Sequence, residues 1–559
     1  MSTETAELPS TGPAGRARAA ALALPDAPVS SPTSRVTYQS QGRVVVIGPE
    51  TESLSAARQL ADRVPVTIHV PGVERPDPGT VEGIVIVRGG TPEVEGRLGR
   101  FTVNLATPEG AVALAEAAGL EIEHFDLVLD LSPEPLLSHE VPPVGYYAPR
   151  GDGRALARAV AELPEMSGEF EKPKYFNFKP ELCAHSRSEL AGCTRCIDAC
   201  PTLAITSNDE VVAVDPYLCQ GAGSCVAACP SGAMSYAFPT VSDLLTRVRG
   251  LLEAFRAAGG DAAGLVLHDG WSRAQVLGEI GAAMPEDLLP LEVEEVGSVG
   301  MDAWLAALAY GARGVVICVT DYTPKRMRRE LEAQVQFARG VLAGMGYPPG
   351  TLAVANVSKP VEVAAGWAEL PDSLRLRPAR FVAPDDKRAV LRLAIEHLFH
   401  QAPSPRKVAE LPPGAPFGEV RVDKAACTLC MGCVSVCPAA ALSAGGDLPQ
   451  LKFTEWNCVQ CGLCEKACPE DAIRLHPRFL FDAEQRQQPR VLHEEAPFCC
   501  VSCGKPFTTS GLLDKLQRKL EGHWMFQTEE ARRRLQMCEH CRVKDMFRAG
   551  HGQGGGLAQ

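Results

Sequence analysis

The chain reads "CTLCMGCVSVCP" at 427–438 and "CVQCGLCEKACP" at 458–469. Cys427, Cys430, Cys433 and Cys437 are thus followed by Cys458, Cys461, Cys464 and Cys468 in the same C-x2-C-x2-C-x3-C-P register. Thiolates are soft ligands, and three of them in a tight loop can wrap one face of an iron–sulfur cube. The fourth cysteine sits about one helical turn beyond the third, where it faces away from that cube and toward a second. Pro438 and Pro469 then fix φ and end the turn. Gly432 and Gly462 fall inside the loops, where a missing Cβ leaves room for backbone N–H groups near cluster sulfides. Zinc is the competing chemistry, but one zinc needs four thiolates, not eight in this register.

A second cysteine-rich stretch departs from the pattern twice. "CAHSRSELAGCTRCIDACP" places Cys193, Cys196 and Cys200 in register, but the first ligand, Cys183, stands ten residues before Cys193 instead of three. The extra loop must bulge out and return; otherwise Cys183 is an unligated surface thiol. "CQGAGSCVAACP" offers Cys219, Cys225 and Cys229, with Ala222 in the place of the middle cysteine. Three thiolates fit a [3Fe–4S] cluster. The alternatives are a labile [4Fe–4S] cube with water or hydroxide on its open iron, and an empty site.

The stretch 427–469 resembles the bacterial two-cluster ferredoxins, and both motifs match without substitution. The crossed pairing implied by that resemblance puts Cys427, Cys430, Cys433 and Cys468 on one [4Fe–4S] cluster. Cys437, Cys458, Cys461 and Cys464 hold the second. The earlier stretch resembles the seven-iron ferredoxins. The same pairing assigns Cys183, Cys193, Cys196 and Cys229 to a four-iron cluster and leaves Cys200, Cys219 and Cys225 for the other site.

Near the C-terminus, "CCVSCGKPF" and "MCEHC" supply Cys500, Cys503, Cys538 and Cys541, with Cys499 spare. Two knuckles around a helical insert resemble a zinc-ribbon-like structural site, although the gap is longer than usual. A further iron–sulfur cluster and free thiols are the alternatives. His523 and His540 read as bystanders, because four cysteines complete the set. Gly504 suits the tight turn of the first knuckle. The basic helices here read as a solvated face, not a nucleic-acid surface.

These sites need elements to position them. "RVVVIG" (43–48), "EGIVIVRG" and "FDLVLDLS" read as buried strands, with "LSAARQLADRV" and "GDGRALARAVAELPEM" as helices. Gly48 survives, but Glu50 and Ser53 stand where a dinucleotide fingerprint needs glycine. The unit resembles the start of heterodisulfide-reductase-type flavin subunits without their glycines, so a structural role is expected and FAD is not. A second α/β unit contains the helix "VSDLLTRVRGLLEAFRAAGG", the strands "AGLVLHD" and "ARGVVICV", and the helix "RRELEAQVQFARGVLAGMG". Its residues 293–347 resemble the delta subunit of methyl-viologen-reducing hydrogenase. That resemblance implies a docking domain that relays electrons to heterodisulfide-reductase-like flavoproteins. The family's [2Fe–2S] cysteines are missing; Cys318 alone lies nearby and reads as a small buried residue.

The expected architecture is multidomain, α/β plus α+β. It runs as a disordered tail (1–40), a Rossmann-like α/β domain (41–170), a dicluster module (171–240), a second Rossmann-like α/β domain (241–400), a linker (401–420), a dicluster module (421–480), a four-cysteine zinc-ribbon-like module (495–548) and a flexible tail (549–559). With 559 residues, 21 cysteines and a net charge of -13, the chain is too long for one core and lacks the basic face that nucleic acid requires. No apolar run approaches the ~20 residues of a membrane span, and no secretory signal is evident. Clustered Cys-x-x-Cys in a reducing cytoplasm points to metal, not disulfides.

The expected function is cytoplasmic single-electron transfer between a redox enzyme and another carrier, with no catalytic residue of its own. The layout resembles the iron–sulfur proteins associated with bacterial formate dehydrogenases. Competing readings are a flavin- or NAD-dependent oxidoreductase subunit using the first α/β domain, and an iron–sulfur redox sensor or scaffold.

Overall fold

In the computed structural model, residues 8, 10–23, 31–32, 34–108, 110–372, 374–446 and 448–551 are described. The first α/β unit is built on a six-stranded sheet in the order Tyr146–Tyr147, Leu127–Asp130, Val44–Ile47, Val66–Val70, Ile84–Arg88, Asp77–Val81. All pairs are parallel except the last, where Asp77–Val81 runs antiparallel along the edge. The central strands Val44–Ile47 and Leu127–Asp130 are buried at every residue, as strands covered on both faces must be. Helices Glu50–Leu60 and Gly153–Glu162 share one apolar core with that sheet. A three-stranded antiparallel sheet, Thr91–Arg97, Arg100–Thr107 and Gly110–Ala113, covers the other face. Helix Glu50–Leu60 begins after Pro49 with two acids in its first turn, and Glu50 pairs with Arg88 at 2.6 Å. Negative charge therefore occupies the helix end where a dinucleotide pyrophosphate would need free N–H groups.

The second α/β unit carries four parallel strands in the order Leu288–Glu292, Gly264–His268, Gly314–Val319, Leu352–Asn356. Helix Val241–Ala257 enters through a reciprocal cap in which Thr240 accepts from the Asp243 N–H and the Asp243 side chain accepts from the Thr240 N–H. Helices Met301–Ala309, Lys325–Met345 and Lys387–Phe399 complete the main core. Cys318 is 1% exposed on its apolar strand, and burial pushes its thiol up to about 12.

Two segments differ from the sequence expectation. Within the stretch read as a disordered tail, Pro13–Leu22 is a helix packed on Val241–Ala257, with Ala17 and Ala21 in the shared core. The Glu286 carboxylate accepts from the N–H groups of Thr11, Gly12 and Gly15 and so caps that helix from a distant loop. Residues 1–7, 9, 24–30 and 33 of the tail, and 552–559 at the other end, lie outside the described residues. The Pro-rich linker is also built in. Val408–Glu410 pairs with Ile473–Leu480, and Ala409, Leu411, Ala415 and Phe417 join the core of the second α/β unit. The second module is thereby fused to that unit through Phe479 and Phe481.

Candidate metal centres

The second module folds as short helices, Gly432–Ser435 and Leu463–Lys466, between antiparallel strands such as Gly418–Val422 and Ile473–Leu480. Each helix starts from a left-handed residue, Met431 at φ 62° and Gly462 at φ 85°. The sequence placed both glycines alike, yet only Gly462 takes this conformation; Gly432 follows the turn and heads the helix. Around these turns the backbone N–H groups of Leu429, Gln460 and Leu463 reach the thiols of Cys427, Cys458 and Cys461 respectively.

Two cavities result. One is lined by Cys427, Cys430, Cys433 and Cys468; the other by Cys437, Cys458, Cys461 and Cys464. The fourth cysteine of each motif does cross to the other cavity. Burial pushes the thiols of Cys433 and Cys458 up to about 12 and about 11, respectively. Thiols so desolvated ionise readily only when cationic metal offsets the lost hydration.

In the first module a third cavity is lined by Cys183, Cys193, Cys196 and Cys229. Cys183 is buried there and is not a surface thiol. Its extra loop is a hairpin, Ser186–Arg187 against Leu190–Ala191, reversing at Ser188 and Glu189 with φ of 50° and 64°. His185, unremarked in the sequence, pins the base of this hairpin: Nδ1 lies 2.9 Å from the Cys193 carbonyl oxygen and Nε2 2.7 Å from Ser207 Oγ. Its position two residues beyond Cys183 was the available signal.

Cys200, Cys219 and Cys225 form the remaining group; burial raises the Cys219 and Cys225 thiols, and neighbouring Cys200 adds to both shifts. Around Ala222 the loop retains two left-handed turns, Gly221 at φ 83° and Gly223 at φ 72°. The complete motif has them too, at Gln460 (φ 53°) and Gly462. The backbone still makes a cluster-type loop although one thiolate is missing. Lys172, also missed, donates from Nζ to the carbonyls of Tyr217 (2.7 Å) and Cys219 (2.6 Å), placing a cation against this site.

The C-terminal knuckles are drawn much tighter. Among the described residues, Cys500, Cys503, Cys538 and Cys541 are the one set of potential ligands whose donor atoms all lie within 4.8 Å of one another. Cys503 Sγ and Cys538 Sγ are 3.7 Å apart. Tetrahedral thiolates ~2.3 Å from zinc would be separated by about 3.8 Å, so this set suits a single ion better than a cube. Burial opposes ionisation of Cys500, but N–H groups of Cys538, Ser502 and Cys503 outweigh it and bring the thiol down to about 6. His523 is outside the set and accepts from the Met525 N–H. Cys499 is exposed.

Comparison with known proteins follows these boundaries. The 4Fe-4S dicluster domain family matches residues 419–469 and, separately, residues 191–233. The second match begins after Cys183, where the hairpin interrupts the pattern. NADH-quinone oxidoreductase subunit I 2 of Geobacter metallireducens is 30% identical over 103 residues, covering 16% of this chain and 79% of that protein. Selenate reductase subunit beta of Thauera selenatis is 39% identical over 74 residues, covering 13% of this chain and 21% of that protein. The matches support several [4Fe–4S] clusters and an electron-transfer role. No helix among the described residues is long and apolar enough to cross a membrane. Through its cysteine modules the chain belongs to the 4Fe-4S dicluster family of iron–sulfur proteins, together with NADH-quinone oxidoreductase subunit I.

Proposed function

We propose that the protein is a cytoplasmic electron-transfer component of a larger oxidoreductase system. It would hold three [4Fe–4S] clusters, one [3Fe–4S] cluster at Cys200, Cys219 and Cys225, and one structural zinc at Cys500, Cys503, Cys538 and Cys541. The observation carrying this reading is the set of three cavities, each lined by four cysteines in the crossed combination. Bound there, such clusters accept and release single electrons. The chain's own part is to fix the thiolates, exclude water and set the local charge. The retained turns around Ala222 support an occupied three-thiolate site.

The relatives are named as subunits of an NADH-quinone oxidoreductase and of a selenate reductase, so the partner is proposed to be a redox enzyme. A formate dehydrogenase or heterodisulfide-reductase-like flavoprotein fits the layout, with the second α/β unit as a docking domain. The first α/β unit is proposed to be structural, its helix N-terminus being occupied by Glu50 and Glu52.

Anaerobic purification with metal analysis and electron paramagnetic resonance tests this. About fifteen irons and about one zinc per chain are expected, with a three-iron signal in the oxidised state. About sixteen irons without that signal would overturn the assignment at Ala222. A colourless protein lacking iron and acid-labile sulfide would overturn the whole reading.

A further inference from the structure

The hairpin between Cys183 and Cys193 does more than close a gap in the motif. Its return limb, Leu190–Ala191, lies against helix Leu463–Lys466 of the second module. Lys466 Nζ donates to the Ala191 carbonyl at 2.5 Å. At the next residue, Gly192, a Cβ would sit 2.7 Å from both Leu463 Cγ and the Ala184 carbonyl oxygen, so only glycine fits between the base of the hairpin and the Leu463 side chain. Leu463 is fully buried in this contact.

Both contacting segments belong to cluster loops. Gly192 immediately precedes Cys193, and Leu463 stands directly before Cys464 and two residues after Cys461. With ~3.8 Å per chain step, Cys193 and Cys464 have Cα atoms within about 15 Å of each other. Arg195 is anchored at this junction by donating to the Gly414 carbonyl.

Within each module the two cluster helices pack on one another, Arg195–Ala199 on Ser224–Ala228 and Gly432–Ser435 on Leu463–Lys466. Combined with the junction, this allows one order only. Resting on the cluster reading above, we propose that the hairpin docks the modules head to head and arranges the four sites in single file. The file runs from Cys200, Cys219 and Cys225, to Cys183, Cys193, Cys196 and Cys229, across the Gly192–Leu463 contact to Cys437, Cys458, Cys461 and Cys464, and ends at Cys427, Cys430, Cys433 and Cys468. One electron entering from a donor protein at one end leaves to an acceptor protein at the other. No bond forms or breaks, and no proton has to cross the junction.

The test uses the full-length protein, purified anaerobically and reduced with dithionite. Iron is counted first, and paramagnetic resonance spectra and relaxation rates are then recorded for wild type, Cys193→Ser, Cys461→Ser and Gly192→Val. Dipolar coupling falls with the cube of distance, so only facing sites broaden each other strongly. The expected result is a wild-type spectrum that is not the sum of its modules. Cys193→Ser should sharpen the signal of the Cys461 site, and Cys461→Ser that of the Cys193 site. Gly192→Val should lose the cross-module broadening in the molecules that retain their full iron. Full iron content with additive spectra and unchanged relaxation would overturn the file while leaving the cluster reading intact. Missing iron in wild type would overturn the cluster reading instead. If Gly192→Val does not fold, the two cysteine variants decide the matter without adding bulk at the Gly192–Leu463 contact.

Discussion

The two dicluster modules make opposite use of the same loop. In the second, every cysteine of the pattern is present, and the cluster loops join a compact core containing Leu451, Phe453 and Ile473. In the first, the pattern is broken in two places, and each break lies against a neighbouring part of the chain. The hairpin after Cys183 abuts Leu463 of the second module. The Ala222 loop abuts the second α/β unit: Ala222 packs on its core, and Gly223 approaches Ser298 so closely that no Cβ fits. Departures from a ligand motif here mark docking points. The second module keeps its pattern although it too is joined to other units, because its contacts run through Phe479, Phe481, Leu463 and Thr428 and displace no ligand.

The most severe way to break this comparison is to remove a buried ligand from each module. Cys464→Ala should cost the protein about four irons and destabilise the second module, because Cys464 is part of its core. Cys225→Ala should cost only about three, since one thiolate is already absent there. Iron-to-protein ratios with thermal melts measure both. Equal losses would mean that the modules are not different in kind. The converse substitution, Ala222→Cys, restores the missing ligand position. It should raise the iron count by about one and abolish the three-iron signal.

A metal-removal experiment comes next. The C-terminal module has a very small core of Cys500, Met537 and Cys538, and it rests on the second module where Thr509 Oγ1 donates to the Thr428 carbonyl and Lys515 pairs with Glu470. Zinc in such a module is worth ~10 kcal/mol or more of folding free energy. Chelation, or Cys538→Ser, should therefore melt residues 495–548, seen as lost helicity and new proteolytic sites. The iron count should stay near its starting value, because the ferredoxin cysteines are held by other elements.

A milder contrast concerns exposure. Of the fifteen cysteines assigned to the four sites, Cys430 alone is exposed. Under air or an iron chelator, the site of Cys427, Cys430, Cys433 and Cys468 should lose iron first, several-fold faster than the site of Cys183. Following the separate resonance signals with time checks this. Loss beginning at the Cys183 site would reverse the expected inside and outside of the array.

How much of this could be read beforehand follows from how local each constraint is. Ligand spacing is local: Cys458, Cys461 and Cys464 announce their loop within seven residues, and the crossed partner Cys437 follows from a helical turn. Strand Val44–Ile47 is equally legible, as an unbroken apolar run in a covered sheet. Helix Pro13–Leu22 was not, because its side chains form no amphipathic stripe and its cap comes from Glu286, far along the chain. Strand Val408–Glu410 was hidden among prolines, which sit beside it and not in it. Arg195 drew no notice in the sequence because its partner, the Gly414 carbonyl, lies far along the chain.

The smallest expected effect separates the modules by the cation beside one ligand. Lys172 holds the Cys219 carbonyl, while Arg388, half-buried on helix Lys387–Phe399 of the second α/β unit, donates to the Trp456 carbonyl of the second module, close enough to Cys458 for the two to interact. Cys219 and Cys458 are the corresponding first cysteines of their motifs. A reduced cluster carries one more negative charge, so a fixed cation favours reduction and raises the potential. Lys172→Gln and Arg388→Gln should each lower the potential of the adjacent site, by an amount on the order of 150 mV for a unit charge about 5 Å away at an effective dielectric near 20. Arg388 also stacks 5.0 Å over Phe417 and 4.8 Å over Trp456, so its loss should lower the melting temperature as well. Lys172 lies 5.0 Å over the Tyr38 ring and ties fewer elements together, so its loss should move the potential with less effect on stability. Redox titration of both variants, each signal followed separately, would show whether the two cations tune their sites alike; an unmoved potential in either would make that residue a packing element alone.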